Sequence, residues 1–395
     1  MNFHLIIIHN GENVGDKNQS LGIATAFAAE YPSGAVIREE YSIKGQSIEA
    51  LSEKISAVLR EGKQPILISA GSSGLNVLHD LKQAHPDIKS IWSGHQVFGE
   101  IVLFESAIAP DVMAFPAHQK NHVPDFLIAK TQLVLTDGVP HNVSESTIEM
   151  DRSAFMAKRR TLPEFLVKTV VVILPGDAPD MSGVEKVFSP EHAIALAERI
   201  HQLYPSHGFA VTNGPRTGKY LDPVNAHRKG GVDPVTQAFV TRLTELNRRA
   251  PALYDFQFSL LPSAYKPLLH AVKTSADSVL LCPGESTSMV TETLGYLPRD
   301  KVMIVEVPEV MSEAHNEHLR EVSRMGGVQI LDSFGSVCVP IEAATKPVGG
   351  LAATQIAKEF ISHCLLPVPP TSFLFKPSST LLEDYEVDNR EWTRE

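Results

Sequence analysis

The sequence predicts an α/β protein with two Rossmann-like domains whose parallel sheets face a central cleft. Short apolar runs alternate with segments of helical periodicity along most of the 395 residues. The runs are apolar at successive positions, which is typical of parallel strands covered by helices on both faces. Five of these runs end in a glycine-bearing turn. Because open parallel sheets bind ligands at the carboxyl ends of their strands, we expect a ligand site there.

Length and composition are those of a two-domain globular protein. A chain of 395 residues exceeds what one hydrophobic core usually supports, and its 43% hydrophobic and 21% charged residues are ordinary proportions. The net charge of −11 argues against a general nucleic-acid-binding or anionic-membrane-binding surface. The three cysteines, Cys282, Cys338 and Cys364, are far apart and lack metal-ligand spacing, which favours buried thiols in a reducing compartment.

The sequence predicts neither a membrane span nor a secretion signal. No apolar run approaches the roughly 20 residues that cross a bilayer. Met1–His4 lacks the basic head and long apolar stretch of a signal peptide. We therefore expect a cytoplasmic location, while secretion by a route without an N-terminal signal stays compatible with the sequence.

We place an N-terminal domain at residues 1–160 and a C-terminal domain at residues 168–345. The charged segment 157–163, which ends in proline, is the predicted linker. Residues 346–395 are predicted to hold a terminal helix over 351–366 and then a proline-rich, finally acidic tail. The tail is interpreted as a solvated terminus, with a docking peptide as the alternative.

The N-terminal domain begins with the strand His4–His9, which ends in a glycine-bearing loop. A helix is expected to begin near Asn18. In the predicted layout this loop and helix start face the cleft, so Gly11, Asn18 and Gln19 are candidate acceptor-side residues. Asn18 also has the residue type that caps a helix, which is the alternative. Asp16, in the same loop, is a candidate catalytic base.

The rest of the N-terminal domain continues the alternation of helix and strand. Apolar residues over 48–59 fall at helical spacing and lead to the strand Pro65–Ser69, which runs into Gly71. His118 follows the apolar segment Met113–Ala117, so it is expected at a strand end. Imidazole titrates near neutrality and can take a proton from an acceptor hydroxyl, so His118 is the other catalytic candidate. A structural histidine with satisfied hydrogen bonds is the alternative.

The C-terminal domain repeats this order. Its strands, each followed by a glycine-bearing turn, are Val170–Leu174, Phe209–Thr212 and Ser278–Cys282. A helix start is predicted at Ser189, because it is followed by a proline and an early acid. None of the turns is a P-loop or a Gly-x-Gly-x-x-Gly fingerprint. This argues against ATP hydrolysis by the usual loop and against a nicotinamide cofactor.

The turn after Cys282 is the most informative of the five. Gly284 is followed by Ser286, Thr287 and Ser288 and then by a helical pattern. The first turn of a helix presents unpaired N–H groups and the positive end of the helix dipole, so this turn suits a phosphate. An ordinary strand-to-helix turn with a serine cap is the alternative.

Two such domains, with a final helix available to cross back, resemble the layout of GT-B glycosyltransferases and of nucleotide-sugar 2-epimerases. The segment 10–22 resembles the opening of the mitochondrial-fission-protein-like family, also described as predicted nucleoside-diphosphate-sugar epimerases. Residues 115–118, 212–218 and 285–292 resemble three further motifs of that family. The matches fall in the same order along the chain, which makes them more specific together than singly.

The resemblance implies a nucleotide diphosphate sugar as substrate, with no cofactor and no metal. Arg216 is expected to neutralise the diphosphate, because guanidinium offers paired donors to phosphate oxygens. Glu292 is expected to hold a ribose hydroxyl. The residues predicted to bind the nucleotide sugar are Gly284, Glu285, Ser286, Thr287, Ser288, Glu292, Asn213, Arg216 and Thr217. For Arg216 the alternative is a surface arginine paired with a neighbouring acid.

Histidine spacing predicts no metal site. His118 and His122 are four residues apart, but Pro124 and the lack of a third ligand argue against a shared metal ion. His315 and His318 lie in a charged helical stretch and are expected to be solvated.

Three functions are compatible with the sequence. The first is a metal-independent GT-B-like glycosyltransferase, whose acceptor is open and includes a protein or membrane-associated group. The second is a nucleotide-sugar epimerase or hydrolase on the same fold. The third is a non-enzymatic adaptor linked to membrane or mitochondrial remodelling. Asn10 and Pro215 keep the third open, because they replace an acid and an arginine of the family pattern.

Overall fold

The computed structural model describes residues 2–11, 13–31, 36–159, 168–179, 184–221, 231–331, 337–338 and 352–365. Most of the predicted linker and the whole proline-rich tail lie outside these ranges. The domain boundaries at 160 and 168 therefore stay predictions.

The first sheet contains six parallel strands within the described residues. They are β1 Phe3–His9, β2 Val36–Ser42, β3 Gln64–Ala70, β4 Lys89–Ser93, β5 Val112–Pro116 and β6 Gln132–Thr136. Their order across the sheet is β2-β1-β3-β4-β5-β6. Where β1 pairs with β3, Ile6 lies beside Leu67. The two strands predicted to end in glycine turns, β1 and β3, are thus neighbours.

The second sheet contains seven strands in the described part of the chain. The strands of the second half are β7 Thr169–Ile173, β8 Ala178–Pro179, β9 Glu185–Lys186, β10 Gly208–Thr212, β11 Ala252–Tyr254, β12 Val279–Pro283, β13 Val302–Val305, β14 Gln329–Leu331 and β15 Val337–Cys338. Their order is β11-β10-β7-β12-β13-β14-β15, and β15 alone among them runs antiparallel, while β8 and β9 form a separate antiparallel pair. The three glycine-turn strands, β10, β7 and β12, are adjacent.

Helices connect the strands and cover the sheets. They are α1 Val14–Glu30, α2 Ile48–Arg60, α3 Gly71–Ala84, α4 Asp125–Ile128, α5 Glu145–Arg159, α6 Pro190–Leu203, α7 Pro234–Asn247, α8 Tyr265–Thr274, α9 Thr287–Tyr296, α10 Glu313–Arg324 and α11 Ala352–Phe360. The predicted start of α6 is confirmed, because Ser189 caps it in a capping box with His192. A π-helical turn, Ile361–Leu365, continues α11.

Apolar residues at successive strand positions are needed because both faces of each sheet are buried. In β1, Ile6 and Ile8 belong to the hydrophobic cluster on one face, whereas Leu5 and Ile7 belong to the cluster on the other. The second sheet likewise separates two clusters along β12. Burial of apolar area on both faces is the main stabilising contribution to each domain.

The chain crosses between the domains at α5 and again before α11. Ile148 and Phe155 of α5 are buried in the core of the second domain. Ile356 and Phe360 of α11 are buried in the core of the first, where Phe360 lies 6.0 Å from the ring centroid of Phe27. The predicted return of the terminal helix is therefore confirmed. Together with the two parallel sheets it confirms the α/β, two-domain, GT-B-like fold class.

Of the predicted thiols, Cys282 is buried and Cys364 is half-buried, and both are free. Across the described residues, no helix has the length and apolar character required to cross a membrane.

Gly22 packs against backbone, so we expect Gly22→Ala to lower the free energy of unfolding by about 1 to 3 kcal/mol. A Cβ at this position would lie 2.4 Å from the His141 carbonyl oxygen. This clash outweighs the gain of about 1 kcal/mol in helix propensity. Denaturant unfolding measures the change. The control is Gly99→Ala, whose Cβ would meet no atom within 4 Å; equal midpoints for the two variants would contradict the expectation.

Candidate nucleotide-sugar site between the domains

The carboxyl ends of the two sheets face each other, and residues there touch across the domain junction. Asn18 Nδ2 donates a hydrogen bond of 3.2 Å to Glu292 Oε1, although the residues are 274 positions apart. A Cβ added to Gly15 would lie 3.3 Å from Ser288 Oγ. Glycine is therefore the residue that allows the first turns of α1 and α9 to approach this closely.

Two helix N-termini thus meet at one place. Gly15 is the second residue of α1, and Ser288 is the second residue of α9. Asn13 caps α1, and Ser286 caps α9 by accepting from Met289 N at 3.5 Å. Each terminus carries the positive end of a helix dipole and N–H groups without intrahelical partners. The junction is therefore suited to a negatively charged group.

Asn18 does not cap α1, because the helix begins at Val14 and Asn13 is its cap. The side chain of Asn18 instead reaches Glu292, which is 3% exposed. Burial raises the pKa of Glu292, while the Asn18 hydrogen bond and the charge of Lys266 lower it. The sequence named both Asn18 and Glu292 as site residues, and the structure brings them together. It also shows that Oε1, expected to meet a ribose hydroxyl, is already bonded to Asn18.

Asp16 is a buried carboxyl group in the first turn of α1 and is 5% exposed. Its Oδ2 accepts a hydrogen bond of 2.5 Å from Asn13 Nδ2. A Cβ on Gly71 would lie 2.0 Å from the same oxygen, so the carboxyl group packs against the first residue of α3. Burial raises the pKa of Asp16 to about 7, against the lowering effect of the Asn13 hydrogen bond. A group with this pKa is suited to proton transfer near neutrality.

Arg216 and Glu285 form a pair at the ends of the central strands of the second sheet. Arg216 Nη2 lies 3.5 Å from Glu285 Oε1, which also accepts from Gly176 N at 2.8 Å. Glu285 is 2% exposed, and its Oε2 has no partner among the described residues. Burial raises the pKa of Glu285, while Arg216 and the Gly176 N–H lower it. Arg216 therefore has the neighbouring acid that the alternative interpretation named, and that acid lies inside the junction.

Asn213 and Thr217 are used to build the loop after β10. Asn213 Nδ2 donates to Asp233, Thr236 and Asp255, and its Oδ1 accepts from Phe256 N. Thr217, 1% exposed, accepts from Gly214 N at 3.1 Å. The hydrogen-bonding groups of Asn213 are thus engaged within the protein, where they fix the loop that carries Arg216.

Gly284 and Thr287 also have structural roles in the turn that leads into α9. Gly284 N donates to Val305 O at 2.8 Å, and a Cβ there would lie 2.9 Å from Leu319 Cδ1. This glycine therefore allows α10 to pack closely on the turn. Thr287 is buried, and its carbonyl accepts from Thr291 Oγ1. Ser286 and Ser288 are half-buried and are the hydroxyl groups of the turn that lie nearest to solvent.

The two other acceptor-side residues differ in burial. Gln19 is 1% exposed; its Oε1 accepts from Ser93 Oγ at 3.2 Å, and its Nε2 has no partner within the described ranges. Gly11 is exposed, and a Cβ on it would lie 3.2 Å from Ser42 Oγ. Gln19 is therefore a buried donor without a partner in the described structure, whereas Gly11 is exposed, and the contacts of both lie within the first domain.

Histidines of both domains meet beside this site. The ring centroids of His118 and His318 are 5.3 Å apart. The expectation that His315 and His318 are solvated is wrong: His318 is 2% exposed, and His315 is tied into the capping box of α10 through Ser312. The reason is that α10 packs on the 3₁₀ turn Ala117–His122 of the other domain. Burial lowers the pKa of His118 to about 4 and that of His318 to about 3.

The sequence alone missed three contributors to the junction. Gly71 packs against the carboxyl group of Asp16, and its φ of +71° is a backbone conformation that favours glycine. His95 follows β4, and burial together with the charge of Arg216 lowers its pKa to about 4. Glu317 lies 3.1 Å from His122 Nε2 across the domains. For His95 the signal was present, because it follows an apolar run that ends in serine and glycine.

Among the described residues, no group of three or more histidine, cysteine and acidic side chains is arranged to hold a metal ion.

No protein-family model matches the sequence, and no curated protein matches it. Among solved structures, ADP-heptose LPS heptosyltransferase II from E. coli is 8% identical, with 92% of this chain and 98% of that chain covered and a TM-score of 0.40. UDP-GlcNAc 2-epimerase from Methanocaldococcus jannaschii is 11% identical, with 92% and 100% covered and a TM-score of 0.43. Both similarities are weak, so the fold assignment rests on the sheets and helices of this chain. Membership of the mitochondrial-fission-protein-like family stays a prediction.

The raised pKa of Asp16 makes stability depend on pH. The folded protein holds this proton up to about pH 7, whereas the ordinary pKa of the group is 3.8. Folding therefore takes up a proton in this window, and the free energy of unfolding falls as pH rises. From pH 5 to pH 8 we expect Asp16→Asn to gain about 3 kcal/mol relative to the wild type. Denaturant unfolding at both pH values measures it. The control is Asp300→Asn, at an exposed carboxylate; a pH-independent difference for Asp16→Asn would refute the expectation.

Proposed function

We propose that this protein is a GT-B-like glycosyltransferase that binds a nucleotide diphosphate sugar between its domains. The observation that carries the proposal is the meeting of the α1 and α9 N-termini at Gly15 and Ser288, with Arg216 3.5 Å from Glu285, which immediately precedes the cap of α9. Two helix dipoles and one guanidinium group give this junction a positive field in a chain whose net charge is −11. A diphosphate is the ligand group that such a field favours.

Chemically, the difficult step is loss of the nucleotide diphosphate as charge develops on its bridging oxygen. Oriented N–H groups at Thr287 and Ser288, in the first turn of α9, and the charge of Arg216 would stabilise that charge, so the chain's own groups support transfer without a metal. The buried pair with Glu285 positions the guanidinium before the substrate arrives. Glu292 and Asn18, already bonded to each other, would hold a ribose hydroxyl through their remaining hydrogen-bonding capacity.

Asp16 is the better of the two candidate bases. Its pKa of about 7 lets it take a proton from an acceptor hydroxyl and return it near neutral pH. His118, with a pKa of about 4, is neutral at pH 7 but is a much weaker base. We therefore assign the proton transfer to Asp16 and keep His118 as the alternative.

An epimerase or hydrolase is the second candidate function, because the buried histidines and acids at the junction exceed what binding alone requires. Water as acceptor would turn the same machinery into a hydrolase. The adaptor hypothesis lacks a comparable observation, since it does not call for a titratable carboxyl group beside two helix N-termini.

A nucleotide panel tests the binding proposal. We expect one or more of the UDP-, GDP-, ADP- or CMP-sugars to raise the melting temperature of the wild type. Arg216→Ala should abolish most of this shift, because it removes the guanidinium that pairs with phosphate oxygens. Thermal shift with each ligand, set against the ligand-free variant, is the measurement.

The matched control is Arg152→Ala. Its side chain is 39% exposed, as is that of Arg216, and it also pairs with a glutamate, Glu149. It lies on α5, outside the junction, so its ligand shift should equal that of the wild type. If no nucleotide shifts the wild type, or if both variants lose the shift equally, the proposed site is wrong.

The pH dependence of turnover distinguishes the two bases. Release of nucleoside diphosphate, with water as acceptor, should rise about tenfold per pH unit below 7 and level off above it if Asp16 is the base. Asp16→Asn should lower the rate by about 10² to 10⁴ while leaving ligand-induced stabilisation in place. A rate that is already level above pH 5 would point to His118 instead.

A further inference from the structure

His118 and His318 each hold a buried ring nitrogen that has no partner in the described structure. The atom is Nε2 in both residues. The rings approach from different domains, with centroids 5.3 Å apart and planes inclined by 46°. Burying a polar atom without a hydrogen bond costs free energy, and such atoms usually have a partner in a native protein. The two nitrogens therefore mark a place where a hydrogen-bonding ligand group is missing.

The charge state of the histidine rings decides what kind of ligand group fits beside the two nitrogens. The neighbouring histidines, His95 and His315, also have lowered pKa values, chiefly because they are buried and secondarily because other histidines and Arg216 repel their charged forms. Glu317 acts in the opposite direction on His118, but the pKa there stays near 4. All four rings are neutral at pH 7. A neutral imidazole donates through one nitrogen and accepts through the other, so it suits a hydroxyl, which also does both.

The position of these histidines relates them to the proposed diphosphate site. The charge of Arg216 acts on both His95 and His315, so these histidines lie on the side of the junction that Arg216 faces. A sugar attached to a diphosphate at Arg216 would extend from that point. The charged form of His118 also acts on His95 and His315, so the unpartnered nitrogens belong to the group of rings that such a sugar would approach.

We propose that His118 and His318 form a subsite that recognises neutral hydroxyl groups of the sugar carried by the nucleotide. Both domains contribute to the subsite, because the two rings come from opposite sides of the junction. This inference rests on the proposed nucleotide-sugar function. It gives His118 a role in substrate recognition, which its low basicity permits.

The test compares a nucleoside diphosphate with its neutral hexose conjugate, using the pair that stabilises the wild type best. Isothermal titration measures both dissociation constants at pH 7.5. His118→Phe and His318→Phe should each raise Kd for the sugar conjugate about tenfold, as expected for a lost hydrogen bond at a buried site. Neither should change Kd for the nucleoside diphosphate by more than about twofold. Because His318 is buried, the half-buried His118 carries the test if His318→Phe does not fold.

The matched control is His207→Phe. His207 also has a buried ring nitrogen without a partner in the described residues. It precedes β10 and so lies at the amino end of the strands, opposite the site. It should leave both dissociation constants unchanged. If the subsite variants weaken both ligands equally, or neither, the hydroxyl subsite is wrong while the nucleotide site stands.

A different result would remove the proposed function itself: no nucleotide or nucleotide sugar binds the wild type. The subsite is then tested with free glucose, galactose, mannose and N-acetylglucosamine at tens of millimolar. Histidine-selective ¹⁵N spectra, with the two rings assigned through the variants, should show both Nε2 resonances shift on addition of one of these sugars. Unchanged spectra would overturn the subsite as well.

Discussion

The contact between the first turns of α1 and α9 is the constraint on which the junction depends. It favours glycine at position 15, since a Cβ there would lie 3.3 Å from Ser288 Oγ and would press on it. It also places two positive helix ends together, which is unfavourable unless negative charge lies near them. The buried carboxyl groups of Asp16, Glu285 and Glu292 all lie within one or two turns of these ends. Because burial raises the pKa of each acid and so disfavours its charged form, the acids offset only part of the positive potential of the helix ends.

This arrangement explains why the buried acids have raised pKa values without being isolated. Each accepts a hydrogen bond, from Asn13, Gly176 or Asn18, and Oε2 of Glu285 has no partner among the described residues. Burial costs stability, so the junction holds ionisable groups that packing alone would not select. Such a concentration at the carboxyl ends of two sheets is what a site for proton transfer and anion binding requires.

Several glycines and polar residues singled out by pattern serve packing more than chemistry. A side chain at Gly22 would collide with the backbone of His141, and one at Gly284 would collide with Leu319. Asn213 is occupied by the loop that it stabilises. A sequence motif thus mixes residues that touch a ligand with residues that hold the frame around it. The distinction depends on which neighbour lies within a few ångströms, and that neighbour often comes from a distant part of the chain.

The sequence alone determined the alternation of buried strands and helices, the glycine-bearing turns that end five strands and the helix near the end of the chain. Each follows from local periodicity and turn chemistry, which act over a few residues. Only the tertiary structure decided that Asn18 meets Glu292, that Gly71 rather than solvent faces Asp16, and that His318 is buried where α10 packs on the other domain. Helix α10 shows the reason: its charged sequence is typical of an exposed helix, and only the approach of the other domain removes His318 from water.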